Sequence, residues 1–596
     1  MKNTFKVFAI IALAVLSVSC EDFLNRPSED SYTVGDFYKN DSQLEMAVNY
    51  LYSSPWSDAT RFFIYDQETM CGNVYMSGSA YSTLTVNGSD ADNMAYSYSL
   101  WAVNAHCNTV INNILNSEGP SQEAKNKYIG ECLAWKAMTY FMLVRTYGDI
   151  PIIHDNTTII QEASYNEVKK VQKADVYEYI IMTLEKAIEL LPANSYIGQY
   201  NRIDRYAAEA LMSKVYLTKA GVSGAIESGD MAMALKYAED VINNSGRTLT
   251  PNYADVFRLD PKVFQQSGEA LFSWLWNVSA GIWTCQSFIQ SDVGLCGFDE
   301  FGDLWGDWKG PSIDLQDAFG VSATDDPEVR KANEKDTRRK ATCMMFGDQY
   351  DYFWTDKGGF DFYRFFYDDT YGLGTDSPNI SNKSWGCATG ANYAKHLYGN
   401  AADHLAGTGE SAANMYNKLP THILRLGDIY LVAAEAALLT GDKGKAAKYL
   451  NAVRERAGVE AYAEGDITFD IIWKERRLEL ALEGDRWYDY VRRSYYDVDA
   501  CIAELKAQRR SPWGEGDFNA MHKGYILDAD GNYAGPGTGE WDNSSFSYTG
   551  SEDVKDVKAS MFTVPVPTDD VVQNPNMASD QPAIHVDVRE EYKYNF

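Results

Sequence analysis

Apolar residues recur at steps of three and four through Ile423, Leu426, Tyr430, Ala434 and Ala437. That spacing draws one stripe along an α-helix. Gly441 and Gly444 interrupt it. Ala446, Leu450 and Val453 then carry a second stripe up to Gly458, which stands where a left-handed cap is expected. Residues 421–458 therefore read as an antiparallel helix hairpin, with Ala434 and Ala446 small enough to let the two backbones come close.

The same plan recurs along the chain. Tyr128 to Tyr147 is amphipathic and stops at Tyr147-Gly148-Asp149-Ile150-Pro151; Asp175 to Leu191 follows and ends at Pro192. Asp204 to Ala220 and Asp230 to Asn244 form another pair, and Phe469 to Glu483 with Asp485 to Arg493 a fourth. The spacing is that of tetratricopeptide-type pairs, at about 128–192, 204–244, 421–458 and 469–493. No such pair buries its apolar face alone, so the pairs are expected to pack on one another. Trp135, Trp473 and Trp487 fall within these patterns and are assigned to the core. Arg476, Arg477 and Glu479 alternate with apolar residues and are expected to form structural ion pairs. Trp101 to Leu115 reads as a further helix with Asn104, Asn108 and Asn112 along its polar side, and residues 65–93 read as loops.

Between residues 245 and 420 the helical rhythm stops. The stretch is rich in Gly, Asp and aromatics, with strand-like pieces such as Glu269 to Trp276. It holds seven of the 14 tryptophans: Trp274, Trp276, Trp283, Trp305, Trp308, Trp354 and Trp385. An insertion of this length is too long for a plain connection and is expected to carry the specificity. Near the C-terminus, Tyr525 to Tyr533 reads as a β-hairpin with an Asp-Gly turn. Asp528, Asp530 and Asn532 have the spacing that opens an EF-hand loop, but Tyr533 and Gly539 stand at its sixth and twelfth positions. A turn is therefore preferred to a metal site, and no cofactor is expected.

The formal charge of −31 argues against a nucleic-acid partner, which needs a basic face. A neutral ligand fits better. Aromatics make up 13% of the chain, with 41 Tyr, and a surplus of them suits stacking on sugar rings. At the N-terminus Lys2 and Lys6 precede an apolar run from Val7 to Val18, too short to span a bilayer, and Cys20 follows Ser17 and Ser19. This resembles a bacterial lipoprotein signal, with residues 1–19 removed and Cys20 lipidated. Attachment to a membrane would then be by the lipid alone. The other eight cysteines contain no CxxC pair and are read by default as buried free thiols, with a disulfide the alternative in an exported protein.

These pieces together resemble the SusD/RagB family of outer-membrane nutrient-binding lipoproteins of Bacteroidetes. The resemblance rests on Cys20-Glu21-Asp22-Phe23-Leu24, on AWKAMTYFMLVRTYGDIPII from Ala134 and on the ILRLGDIYLVAAEAALLTG block with AAKYLNAVRERAG. ERRLELALEGDRWYDYVRR from Glu475 and VPVPTDDVVQNPNM near the end complete it. Gly427 and Leu482 depart from the family pattern. The resemblance implies a mainly α fold, in which four tetratricopeptide-like pairs form a right-handed scaffold under a loop-rich ligand-binding half. A lipidated tether and arm would span 20–43 and a single domain 44–596. It also implies anchoring at the outer-membrane cell surface, capture of oligosaccharide or polysaccharide, and partnership with a SusC-type TonB-dependent transporter.

The expected site combines Tyr75, Trp101, Trp283, Trp305, Trp308, Tyr352 and Trp354 as stacking surfaces with Gln286, Asp66 and Asn73 as polar partners. A non-catalytic glycan-binding lipoprotein is the leading reading; a binding protein for a peptide nutrient is the alternative. A surface glycoside hydrolase is the weakest reading. It would need two placed carboxylates, which 84 acidic residues always offer, and neither GxSxG nor HExxH occurs.

Overall fold

The computed structural model describes residues 37–193, 202–258, 269–276, 287–295, 297–298, 309–367, 371, 389–409, 418–515, 526–527, 533–535 and 541–596. It is mostly helical. Helix α1 is Asp41–Asn49, α2 Ala91–Leu115, α3 Gln122–Tyr147, α4 Lys173–Leu190, α5 Arg205–Lys219 and α6 Ser228–Asn244. After the insertion come α7 Leu426–Leu439, α8 Lys443–Arg456, α9 Phe469–Leu480, α10 Arg486–Ser494 and α11 Val498–Ala507. From α2 to α6 each helix packs on the next; α6 then packs on α7, and α7 on both α8 and α9.

Local chemistry sets the ends. Asp90, Ser121, Asp204 and Thr468 each accept backbone N–H bonds at the starts of α2, α3, α5 and α9. Gly458, with φ +77°, adopts the left-handed conformation after α8. Trp135, Trp473 and Trp487 are buried, as are Ala434 and Ala446. Cys71, Cys107, Cys132, Cys343 and Cys501 are buried free thiols; Cys285, Cys296 and Cys387 lie outside the described residues.

Three readings of the sequence change. The hairpin helix starts at Leu426, because Thr421–Arg425 is a strand whose five residues are all buried and which pairs antiparallel with Ala270–Trp274. The insertion contains short helices, among them Ile313–Phe319, Pro327–Asn333, Thr337–Thr342 and Ala401–Thr408, capped by Ser312, Asp326, Asp336 and Asn400. Residues 65–93 are partly helical. A π-helical turn, Arg61–Asp66, runs into Gln67–Met70, and α2 starts ten residues before Trp101. Near the C-terminus Ile526–Leu527 pairs antiparallel with Tyr533–Gly535, as the hairpin reading requires; Asp528, Asp530 and Asn532 lie outside the described residues.

Buried charge joins the two parts of the chain. Arg425 is 1% exposed; its Nε reaches Glu483 Oε2 at 2.7 Å and its Nη1 reaches Glu269 Oε1 at 2.9 Å and Glu479 Oε1 at 2.7 Å. Glu479 also pairs with Arg456 and, at 3.3 Å, with Arg338, while Glu483 takes Lys395 at 2.9 Å. Glu269, Arg338 and Lys395 come from the insertion; the others come from the helical part. A Cβ on Gly427 would stand 2.4 Å from Arg425 Nη1 and 2.7 Å from Glu479 Oε1, so the network leaves no room for a side chain there. A second cluster links the helices to one another: Arg476 bonds Asp428 at 2.8 Å and Asp489 at 3.1 Å, Lys214 bonds Asp485 at 2.5 Å, and Arg145 bonds Asp485 at 3.0 Å.

Burial alone would raise the Glu479 and Glu483 carboxyls, but the surrounding cations outweigh it and hold both down to about 2. For Glu479 these are Arg456, Arg425 and Arg338; for Glu483, Arg425 and Lys395. Carboxyls depressed in the folded state stabilise it above the ordinary glutamate range and lose that contribution as pH falls through the folded value. Thermal melts should show a midpoint that drops between pH 4.5 and 2. Arg425→Leu, which removes the cation shared by three buried carboxylates, should lower stability at pH 7 by about 3–5 kcal/mol in urea unfolding; a change under about 1 kcal/mol would show the network to be dispensable.

Candidate functional site

The π-helical turn Arg61–Asp66 widens the helix by one residue and turns Arg61, Tyr65 and Asp66 toward one cleft, a kind of irregularity frequent at functional sites. Met76, Asp92, Asp292 and Lys309 complete a cavity of about 250 Å³. Each comes from a different element. Met76 ends the strand Val74–Met76 and Lys309 begins the antiparallel strand Lys309–Pro311, where the two residues face each other in register. Asp92 sits in the first turn of α2, and Asp292 in the short helix Ile289–Val293.

The cleft is a mesh of opposite charges. Arg61 Nη2 bonds Asp292 Oδ1 at 3.1 Å, and Arg61 Nη1 lies 3.8 Å from Asp92. Lys309 Nζ is 3.7 Å from Asp292 and 4.8 Å from the centre of the Tyr65 ring, whose hydroxyl donates to Ile289 O at 2.8 Å. Burial lowers the Lys309 ammonium's pKa, with Asp292 opposing the shift. Asp66 is the exception. It is 1% exposed, and its Oδ2 has no hydrogen-bond partner among the described residues. Burial, and then the charges of Asp92 and Asp90, push its carboxyl well above the usual carboxylate range. A protonated Asp66 offers one donor and acceptor capacity together, which matches a hydroxyl.

The expected residues separate in space. Asp66 lines the cleft. Tyr75 stands beside it in register with Gly310, 4% exposed. Trp283, Gln286, Trp305 and Trp308 lie outside the described residues, as does Cys20; in sequence Gln286 adjoins Ser287, and Trp308 adjoins Lys309. Asn73 is a structural residue instead: fully buried, it donates to Glu68 Oε2 at 2.7 Å and accepts from Arg477 Nε at 2.8 Å. Trp354 is also reassigned. It is 0% exposed, donates its indole N–H to Phe298 O at 2.8 Å and is hemmed in by Phe360 and Tyr371 with ring centroids 5.0 Å away, so no ring face is open for stacking. Tyr352 packs on Phe353 and Tyr350, away from the cleft lining, and Trp101 lines a different groove. Sequence reading missed Arg61, Tyr65, Met76, Asp92, Asp292 and Lys309. The Asp90-x-Asp92 start of α2, a capping signal, is what could have marked one of them, Asp92.

Among known proteins, the SusD family profile matches residues 233–582, and a second profile, described as starch-binding associating with outer membrane, matches 23–217. A SusD-like protein of Bacteroides ovatus is 30% identical over 594 residues, covering 96% of each chain. A crystal structure solved with xylogluco-oligosaccharide superposes with a TM-score of 0.71 at 25% identity, over 91% of this chain and 99% of the other. A laminarin-binding SusD-like protein gives a TM-score of 0.58 at 19% identity, over 78% and 94%. The chain belongs to the SusD family, and its fold is that of SusD-like proteins. No helix among the described residues is long and apolar enough to cross a membrane.

A carboxyl raised in the folded state makes that state bind protons more tightly than the unfolded chain. Stability is therefore lost as pH rises above the ordinary aspartate value of about 4. Asp66→Asn keeps the shape of the protonated form. It should raise stability at pH 8 by about 1–3 kcal/mol and by less at pH 4; a loss of stability at pH 8 would show that the carboxylate is ionised and paired.

Proposed function

We propose that this protein is a non-catalytic, lipid-anchored cell-surface glycan-binding protein. It captures oligosaccharide or polysaccharide at the cleft beside Asp66 and delivers it to a SusC-type TonB-dependent transporter. The observation that carries the site is the unpartnered, buried Asp66 oxygen lining a cavity. Buried polar atoms ordinarily find partners, and here a ligand hydroxyl would supply one. The tryptophan-bearing segments that adjoin Ser287 and Lys309 in sequence would supply stacking faces. Family membership and the xylogluco-oligosaccharide bound to a relative of similar fold support a carbohydrate as cargo. The Cys20 signal and the outer-membrane description of the matching profile support the location.

The test is isothermal titration of the protein, started after Cys20, against xyloglucan, laminarin, starch and host polysaccharides, with sugar release followed in parallel. Binding to one glycan class without released sugar is expected. Trp305→Ala/Trp308→Ala should abolish it with helical circular dichroism unchanged. Released sugar would make the protein a hydrolase; binding that survives the double substitution would move the site elsewhere.

A further inference from the structure

A second concavity, of about 460 Å³, lies between the middle of α2, the segment 151–168 and the C-terminal segment 570–577. It is distinct from the cleft. Trp101 lies nine residues beyond Asp92 on the same helix, roughly 14 Å further along the axis and about half a turn round it.

Its rim carries aromatic rings held out in solvent. Tyr98 is 75% exposed and Tyr165 is 59% exposed, while Trp101 forms the floor, edge-on to Tyr140. Exposed rings gathered at one groove, unlike single scattered ones, mark a surface for interaction. Between them lie Asn156, Gln573 and Asp570. Among the described residues, Asp570 is the one charged side chain lining the groove, and no lysine or arginine lines it.

The walls are fixed before any ligand arrives. The asparagine row of α2 pins the loop opposite: Asn104 and Asn108 donate to Ile153 O at 3.2 and 3.1 Å, and Asn112 donates to Asp155 Oδ1 at 2.8 Å. Lys136, buried beneath, donates to Asn108 Oδ1 at 2.6 Å and to His154 O at 2.8 Å. The C-terminal wall is tied down by Ser97 Oγ donating to Asp570 Oδ2 at 2.6 Å and by Asn574 Nδ2 donating to Val168 O at 2.8 Å. Three segments distant in sequence are thus locked around an aromatic-rimmed groove, the pre-organisation a binding site requires.

We propose that this groove is a second carbohydrate-binding site, taking a short stretch of a neutral glycan. The proposal rests on the reading that the protein binds glycans at all. Ring faces with the exposed Gln573 amide between them suit sugar rings and their hydroxyls, while Asn156 is held by Asn108 and Ala105 as part of the wall. The lack of lysine or arginine among the described lining residues disfavours an anionic ligand. The volume is that of a small-ligand pocket, whereas a stable protein partner needs a surface of about 800 Å² on each side. With two sites, one polysaccharide chain or two neighbouring chains would be held more tightly than by the cleft alone.

The test uses the protein started after Cys20, with xyloglucan, laminarin and starch as probes in affinity electrophoresis, and their short oligosaccharides in calorimetry. Tyr98→Ala/Tyr165→Ala removes only exposed rings, and an unchanged melting temperature checks its fold. It should weaken polysaccharide binding about tenfold or more, while a single short-oligosaccharide affinity assigned to the cleft stays unchanged. Tyr98→Phe/Tyr165→Phe should bind like the parent. If the alanine variant matches the parent on every polysaccharide the parent binds, the groove is not a glycan site and its exposed rings belong to a protein contact. If Trp305→Ala/Trp308→Ala is silent while the groove variant loses binding, the groove stands and the cleft reading falls. If the parent binds none of the three, both readings fall.

Discussion

The fully buried guanidinium of Arg425 is the constraint on which the two halves of this molecule depend. It stands at the junction of the strand Thr421–Arg425 and α7, where the insertion returns to the helical stack. Its partners come from both sides: Glu269 from the insertion, Glu479 and Glu483 from α9 and the turn after it. A buried ion-pair network is weak evidence of net stability, because desolvation opposes the Coulombic gain. It does confer geometry. Each carboxylate is committed to several donors, and Gly427 is forced by the lack of space beside them. Displacing the insertion relative to the helices would strand charges in the interior.

That fixed junction extends toward the cleft. Glu68 accepts from Gly484 N at 2.8 Å, two residues after Leu482. It also accepts from Asn73, which in turn holds Arg477 of α9. The π-helical turn bearing Arg61, Tyr65 and Asp66 thus leads directly into a segment clamped to α9. The cleft combines charge pairs, Arg61 and Lys309 on Asp292, with the buried Asp66 carboxyl, whose Oδ2 has no partner among the described residues. Under the proposed function such a division would suit recognition of hydroxyls, with Asp66 keeping capacity for the ligand.

The sequence showed the helical scaffold where the apolar period was long. The stretches that became α3 to α10 were all legible, as was the pairing of Arg476, Arg477 and Glu479 inside the protein. Periodicity failed at Thr421–Arg425, because Ile423 falls three residues before Leu426 and so extends a helical stripe even though the backbone there is a strand. It failed in the insertion because helices of five to eight residues have too few turns to show a period; their caps, Ser312, Asp326, Asp336 and Asn400, were the usable signal. The candidate site was less legible. Asp66 was among the expected residues and lines the cavity, but Trp354 and Asn73 are buried in the core, since composition cannot tell an aromatic that packs a core from one that offers a face. The π-helical turn that assembles the cleft left no mark in the local pattern.

The central claim is that ligand engages the clamped cleft half while the helical stack stays a fixed support. Hydrogen–deuterium exchange with and without the oligosaccharide that binds tests it most directly. The account predicts added protection in peptides covering residues 61–76 and 287–311, with α5 to α8 unchanged. Protection gained in α5 to α8 while residues 61–76 exchange as before would contradict it.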